Sequence, residues 1–387
     1  MTDNQKTQET AKLAARSASR SEAIRAQRRS VEAANKIANE YQNAESKKLE
    51  KRANLIDDSP RLKVIGLGGM DGGGSKNMLV IEYLNDALVI DAGNDLGVDL
   101  PGINYAIADT TYLETIRHKI KGYVISHGHL DHIGGLPHIV PKFPASVFGS
   151  KFTIGRVEEI FENFGLSMPE GFELKTVVIN ETTHEKIKIG AFFVELVRVT
   201  HSIPGATAIV IDSPVGRIII SGDFRLDPNP LDHEKTDMDR LKHLGEEGVL
   251  LLLSESTTTD RAGRTPSESI IEPSFIELFN RAPGRVFIAI FSTNINRIQM
   301  VINAAVHHGR KIALDGRSMM STLEMAVRNG FVKVPKGTFI PIASANNLPD
   351  EKVVVICTGS QGETNSALMR MSTGDHKHIK LKPRDTV

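Results

Sequence analysis

Ser126-His127-Gly128-His129-Leu130-Asp131-His132 sets three imidazoles and a carboxylate within six residues, directly after the apolar run Gly122 to Ile125. Imidazole and carboxylate are donors that zinc accepts. There are too many here for one tetrahedral ion, and the thiolates that a purely structural site favours are missing. The stretch reads as half of a two-metal hydrolytic site. His127 and His129, at i and i+2 on a loop leaving a strand end, can point the same way. Asp131 and His132 fall where Ile133-Gly134-Gly135-Leu136 begins a helix, so two pairs of donors can face two neighbouring ions. A chance histidine cluster on a solvated loop is the competing reading, and the spacing argues against it.

Further donors should come from other strand ends, because rigid sheets present chemistry on the loops at one edge. Val194 to Val199 alternates as a strand and delivers Thr200-His201-Ser202; Arg217 to Ile220 does the same for Ser221-Gly222-Asp223. Each alone is weak, since a lone His or Asp after a strand is more often a cap. Their order after the first cluster gives them weight.

That order, with Asp91 in Val89-Ile90-Asp91-Ala92-Gly93 ahead of the cluster and His201 and Asp223 behind it, resembles the metallo-β-lactamase superfamily. Gly66-Leu67-Gly68, Lys76-Asn77-Met78, His132-Ile133-Gly134-Gly135-Leu136-Pro137, Ser221-Gly222-Asp223-Phe224-Arg225, Glu255-Ser256-Thr257, Leu314-Asp315-Gly316-Arg317-Ser318-Met319 and Thr358-Gly359-Ser360-Gln361-Gly362-Glu363 resemble, more narrowly, the ribonuclease J family of β-CASP ribonucleases. The similarity runs from about Leu62 to the last residue. It implies that His127, His129 and His201 hold a first zinc, Asp131 and His132 a second, and that Asp223 bridges both, with manganese or magnesium as alternatives. Asp131 and Asp223 become the catalytic carboxylates. The implied reaction is in-line hydrolysis of RNA phosphodiesters by a hydroxide formed between two cations. The implied substrate is single-stranded RNA with a 5′-monophosphate, cut by 5′→3′ exonuclease and endonuclease action in rRNA processing and mRNA decay, by a protein that is a homo-oligomer at full length. Asp91 would orient a ligand imidazole through its free ring nitrogen, against a plainer role capping the turn at Ala92-Gly93. Glu255 would mark entry to an inserted domain, against a plain loop carboxylate.

One departure stands out. In that family another ligand of the second metal, and a His-x-Ser-x-His segment that grips substrate phosphate, follow the Thr-Gly-Ser-Gln-Gly-Glu motif. Here only Thr364 to Val387 follow; His376 and His378 lack that context, and Asp385-Thr386-Val387 has the look of an opening strand. The chain is accordingly expected to be a C-terminally truncated fragment, with a complete first metal site and an incomplete second.

The 387 residues leave room for two domains and an appendage, and 40% hydrophobic residues suffice for ordinary cores. The single cysteine, Cys357, rules out an internal disulfide framework and fits a reducing, cytoplasmic setting. Lying after the apolar run Val353 to Ile356, it reads as a buried strand residue rather than a nucleophile. No stretch is long and apolar enough for a membrane span, and the N-terminus is too polar for a signal peptide. The 47 basic and 47 acidic residues cancel, so any contact with RNA needs a local positive groove.

Three zones follow. Residues 1–58 are rich in Ala, Lys, Arg, Glu, Gln and Asn and lack Gly and Pro, a polar helical or disordered extension; a basic stretch at Arg25-Ala26-Gln27-Arg28-Arg29 could touch RNA. Residues 59–260 carry short strands at Leu62 to Ile65, Met78 to Tyr83, Ala87 to Ile90, Gly122 to Ile125, Lys186 to Ile189, Phe192 to Val199, Ala206 to Ile211, Arg217 to Ile220 and Val249 to Leu253. Helices are expected at Tyr112 to Ile120 and Ile154 to Phe164. The pattern suits an α/β fold, an αββα sandwich of two sheets with helices outside. Gly66 to Gly69 and Gly72 to Gly74 match no nucleotide-binding spacing and read as tight turns near the active-site edge.

Residues 261–387 alternate helix and strand: helices at Ser267 to Arg281, Arg297 to His308 and Met319 to Asn329, strands at Val286 to Ile290, Lys311 to Leu314 and Lys352 to Cys357. This is a parallel α/β unit, incomplete as a β-CASP domain. Ligands approach such units at the carboxyl ends of the strands. That nominates Ser292, Asn294, Arg317, Ser318 and Ser360 for phosphate and sugar contacts, with helix capping as the plain alternative. Other classes compete with the ribonuclease: a small-molecule hydrolase of the same superfamily, which would lack the inserted α/β unit, and a catalytically impaired RNA-binding subunit. DNA competes with RNA as the substrate.

Overall fold

The computed structural model describes residue 36 and residues 61–70, 74–95, 106–166, 172–179, 182–363 and 366–387. The chain divides into Met1–Ser59 and Pro60–Val387. The expected polar extension lies outside the described residues apart from Lys36, as do Gly72 and Gly73.

Eight strands come first: β1 Leu62–Gly68, β2 Met78–Tyr83, β3 Asp86–Ile90, β4 Asn94–Asp95, β5 Ala106–Ile107, β6 Ile120–Val124, β7 Val147–Gly149 and β8 Leu174–Thr176. Six of them form one sheet in the order β1-β2-β3-β6-β7-β8, while β4 and β5 pair separately. A second sheet is built from β9 Ile187–Ile189, β10 Phe192–Arg198, β11 Thr207–Asp212, β12 Arg217–Ile220 and β13 Leu251–Leu253, in the order β13-β12-β11-β10-β9. The sheets face each other through Leu79, Ile81, Leu88, Ile90 and Val124 on one side and Phe192, Val194, Leu196, Ile209, Ile211 and Ile218 on the other.

Strand β2 shows why these sequences are apolar at consecutive positions. Leu79 and Ile81 point into the sandwich, while Met78 and Val80 join an outer cluster with Ile133, Leu136, Val157 and Phe161. A strand covered on both faces reads as a continuous hydrophobic run, not an alternating one. The helices supplying the cover are α1 Thr111–Thr115, α2 Leu130–Ile133, α3 Leu136–Ile139 and α4 Lys151–Asn163, the last capped by Ser150. The expected αββα layering is thus present.

The third sheet is wholly parallel. After helices α5 Met238–Glu247 and α6 Ile271–Arg281 come β14 Val286–Ala289, α7 Ile295–His307, β15 Lys311–Asp315, α8 Arg317–Arg328, β16 Phe339–Ile340, β17 Val353–Cys357 and α9 Ala367–Thr373, with sheet order β14-β17-β15-β16. Val197, Val199, Ala208, Val210 and Ile219 on the outer face of the second sheet share one core with Leu244 of α5 and with Ile298, Val301, Met319 and Leu323 of α7 and α8. Cys357 is fully buried in β17, as its apolar setting predicts. Thr386 bridges Val286 in parallel, and the Asp385 carboxylate takes Arg285 through two nitrogens at 2.9 and 2.6 Å, so this segment runs strand-like beside β14.

Several expectations need correction, among them helix starts: α4 begins at Lys151, three residues earlier than expected, α7 and α8 at Ile295 and Arg317, two earlier each, and α6 at Ile271 after a 3-10 turn. The helix expected over Tyr112 to Ile120 ends at Thr115, followed by a 3-10 turn at Arg117–Lys119. Ile120 instead opens β6, because it pairs with Ala87 of β3, and that tertiary ladder overrides local preference. Gly66 and Gly68 lie inside β1, not in a turn; Gly68 is needed because an added Cβ would fall 1.8 Å from the Lys76 carbonyl oxygen. Strand β13 starts at Leu251, two residues later than expected.

No helix among the described residues is long and apolar enough to cross a membrane. A buried ion pair ties α5 to the outer face of the second sheet: Arg240 of α5 donates through Nε and a terminal nitrogen to both Glu195 carboxylate oxygens, each at 2.7 Å. Arg240→Met should cost about 3–5 kcal/mol in urea unfolding, because it strands a buried carboxylate, while Glu195→Leu/Arg240→Met should recover most of the loss. Equal losses in the single and double variants would show that the arginine acts only by packing.

Candidate metal centre

Chain direction brings the donors together. Strands β3 and β6 run parallel with Ile90 opposite Val124, so the loops after both leave the same edge. Asp91 follows β3 at φ +56°, a backbone conformation that Asp tolerates better than most residues. After β6 the chain passes through buried Ser126 and His127; His129 then sits in extended conformation at the N-cap of α2, which turns Asp131 and His132 into its first turn. His201 follows β10, and Asp223 follows β12 through Gly222 at φ +58°.

Two groups of side-chain donors result: His127, His129, His201 and Asp223, then Asp131, His132 and Asp223, each within 4.8 Å of one another. In the first, His129 Nδ1 lies 3.0 Å from His127 Nε2 and 3.1 Å from His201 Nε2, and Asp223 Oδ2 lies 3.8 Å from both of those Nε2 atoms. Tetrahedral zinc with ligand distances near 2.05 Å separates its donors by roughly 3.3 Å, and the observed spacings bracket that value. As a hydrogen-bonded cluster the three rings would be poorly satisfied, since one nitrogen faces two others. As a ligand set every lone pair has a use. In the second group, His132 Nε2 is 3.5 Å from both Asp131 Oδ2 and Asp223 Oδ1.

Electrostatics divide the imidazoles. Burial, together with neighbouring imidazoles, drives His127 well below the ordinary histidine range, brings His129 down to about 3, and lowers His201. These three are neutral, the form a metal requires. His132 goes the other way: burial opposes its charge, but Asp91, Asp131 and Asp223 outweigh it and raise its pKa well above the usual value. Asp223 is held below the ordinary carboxylate range, with burial opposing and the hydrogen bond and charge of His132 prevailing.

The Asp91 carboxylate accepts from Ser126 N and Ser126 Oγ and meets His132 Nδ1, each at 2.8 Å, so it both ties its own turn and faces a ring nitrogen directed away from the donor cluster. Glu255 joins neither donor group; its Oε2 accepts from Thr257 N at 2.7 Å within its own loop. Ser292, Asn294, Arg317, Ser318 and Ser360 lie where the parallel sheet ends, but none belongs to a donor group. Asn294 caps α7 by accepting from Arg297 N at 3.2 Å. Arg317, Ser318 and Ser360 are exposed.

Two contributors were not assigned roles from sequence. Asn77 Nδ2 lies 3.1 Å from His132 Nε2 and 3.4 Å from Asp131 Oδ2, and Ser126 Oγ lies 3.1 Å from His127 Nδ1. The motif Lys76-Asn77-Met78 was the available signal, yet nothing local in it points to a partner 54 residues away.

Two family models match. One is described as the metallo-beta-lactamase superfamily, over residues 71–260; the other as ribonuclease J, beta-CASP domain, over residues 283–387. Among curated proteins, a ribonuclease J of Helicobacter pylori is 40% identical over 364 residues, covering 93% of this chain and 50% of its own. One of Thermus thermophilus is 39% identical over 333 residues, covering 84% of this chain and 57% of its own. The chain thus spans about half the length of the curated relatives it matches. A solved protein of unknown function from Enterococcus faecalis shares the fold at a TM-score of 0.51 and 16% identity, over 78% of each chain. With both matched regions present in order, and similarity running through donor loops and parallel sheet alike, the chain belongs to the ribonuclease J family of the metallo-β-lactamase superfamily.

Proposed function

We propose that this chain carries the hydrolytic half of a metal-dependent ribonuclease acting on single-stranded RNA. The supporting observation is the pair of donor groups that share Asp223. In this reading His127, His129 and His201 hold one zinc, Asp131 and His132 a second, and Asp223 reaches both; manganese or magnesium could serve in their place. When bound, such a pair of cations lowers the pKa of water toward neutrality and offsets charge on phosphate oxygens. The protein's own part is to hold three neutral imidazoles in register, to keep the Asp223 carboxylate ionised between the two groups, and to fix His132 through Asp91. The exposed Arg317, Ser318 and Ser360, with Ser292, are proposed to receive the RNA backbone; Asn294, engaged as a cap, is the weakest of the five candidates. Residues 59–260 would do the chemistry and 261–387 would grip substrate, with 1–58 an extension outside both. The 5′-monophosphate preference, the combination of 5′→3′ exonuclease and endonuclease cutting, homo-oligomers and a cytoplasmic site of action are proposed on the likeness to ribonucleases J.

Incubated with zinc and a labelled 5′-monophosphorylated RNA, the chain should cleave it, and a chelator should stop the reaction. Asp223→Asn should lose about two orders of magnitude or more in rate while keeping its circular dichroism spectrum. Hydrolysis of a thioester or lactone with RNA left intact would sink the assignment. Because its neighbouring carboxylates raise the His132 pKa well above the ordinary histidine value, loading the group that contains it should release a proton. Zinc affinity there should rise between about pH 6 and about pH 8, while the His127 group changes little over that span; calorimetry in buffers of different ionisation heat would read the released proton. Gly93→Ala would place a Cβ 1.5 Å from the Asp131 carbonyl oxygen. That variant should lose zinc from the Asp131–His132 group and retain it at the other, and unchanged stoichiometry would show that the loop can yield.

A further inference from the structure

A buried ion pair joins the histidine loop to the α/β unit. Arg156, on α4, is 3% exposed and reaches three ways. Its Nε points at the Gly128 carbonyl oxygen at 3.5 Å, and one terminal nitrogen donates both to the Glu159 carboxylate and to Thr322 Oγ1, the latter at 2.9 Å. Glu159 in turn accepts from Ser321 Oγ at 2.5 Å and from Thr322 Oγ1 at 3.2 Å. Ser321 and Thr322 belong to α8, which begins at Arg317 immediately after the carboxyl end of β15.

Two features set this network apart from a simple interface contact. Gly128, between His127 and His129, has no room for a side chain: its Cβ would lie 2.9 Å from Arg156 Cγ and 3.4 Å from Ile203 Cδ1. Ile203 is two residues beyond His201, so both histidine-bearing loops meet at this point beside the Arg156 stem. Beside the network, α4 meets α8 and the residues just past it through Gly155 against Met325, Phe152 edge-on to Phe331 at 4.9 Å, and exposed Lys151, whose Nζ donates to the Asn329 carbonyl oxygen at 3.4 Å, so that among the described residues no second buried ion pair holds these helices together. A buried ion pair adds little stability over a hydrophobic pair, and its best-attested use is to fix one arrangement among alternatives.

We propose that Arg156 is a positioning residue that sets the His127-Gly128-His129 loop against α8, so that ion binding by His127, His129 and His201 depends on Ser321 and Thr322 in the other half of the molecule. The proposal rests on the reading that those histidines bind a metal. The coupling is a free energy between two places, and it should appear in equilibrium affinity.

The test is chelator-competition measurement of zinc affinity at the first group, with the visible spectrum of the cobalt(II)-loaded chain and the unfolding midpoint recorded alongside. Thr322→Val keeps side-chain shape and removes the hydroxyl. Alone or with Ser321→Ala it should weaken zinc binding by about five- to fiftyfold and shift the cobalt bands. Arg156→Lys should fall between wild type and Arg156→Met in affinity, since it restores the charge without the planar fork. A lowered unfolding midpoint with unchanged zinc affinity and cobalt spectrum would overturn the proposal and leave the network purely structural. Should Arg156→Met fail to fold, Thr322→Val still decides the matter. A wild-type chain that takes up no zinc would overturn the metal reading itself, and this proposal with it.

Discussion

The Asp91 carboxylate is the tie on which the donor cluster depends. It is 5% exposed and accepts the amide and hydroxyl of Ser126 while facing His132 Nδ1. One buried group thereby fixes the end of β3 to the end of β6 and sets the rotation of a ring on the next helix. Its backbone sits in the left-handed region, a conformation that costs of order 1–3 kcal/mol and persists only where surroundings enforce it. Those surroundings are visible: Ala92 N donates to the His132 carbonyl at 2.7 Å, and Gly93 lies against the Asp131 carbonyl where no side chain fits. The Asp91 turn and the histidine loop are knitted as one piece.

From that piece follows the division of charge. His127 is sealed at 0% exposure among other imidazoles and cannot hold a proton cheaply, whereas His132 has three carboxylates around it and retains one. The same six-residue stretch therefore presents a neutral donor set on one side and a cation among carboxylates on the other. Such pairing of opposite environments is how a fold readies groups for different tasks at one pH.

Much of this was legible in sequence because it is local or ordinal. The His-x-His-x-Asp-His spacing, and the placing of His201 and Asp223 after alternating strands, named the donors that the sheets then bring together. The parallel unit showed itself through helix–strand alternation after Asp260. Other elements gave no such signal. Helix α5 has only Leu241 and Leu244 as aliphatic anchors beyond its first residue and carries Gly245, so its helical character rests on the Asp237 cap and on the Arg240–Glu195 pair. The truncated α1 was settled by a ladder with β3, and Arg156 acquires its role from Thr322, 166 residues away. Polar residues whose partners are distant carry no periodicity to read.

The core explains why the donor loops and the parallel sheet should be considered together. The outer face of the second sheet, at Val197, Val199, Ala208, Val210 and Ile219, is covered by α5, α7 and α8. Stripped of the α/β unit, that face would present a contiguous apolar surface of the kind soluble monomers avoid. Strands β10 and β12 lead into His201 and Asp223, so the covering that keeps them in register also sets two of the donors. Near those donors, Arg225, two residues past Asp223, and Arg297 of α7 both grip Glu268, at 3.0 and 2.6 Å. The parallel unit thus covers the strands that lead into two of the candidate donors, and α8 reaches the loop that carries His129 through Arg156.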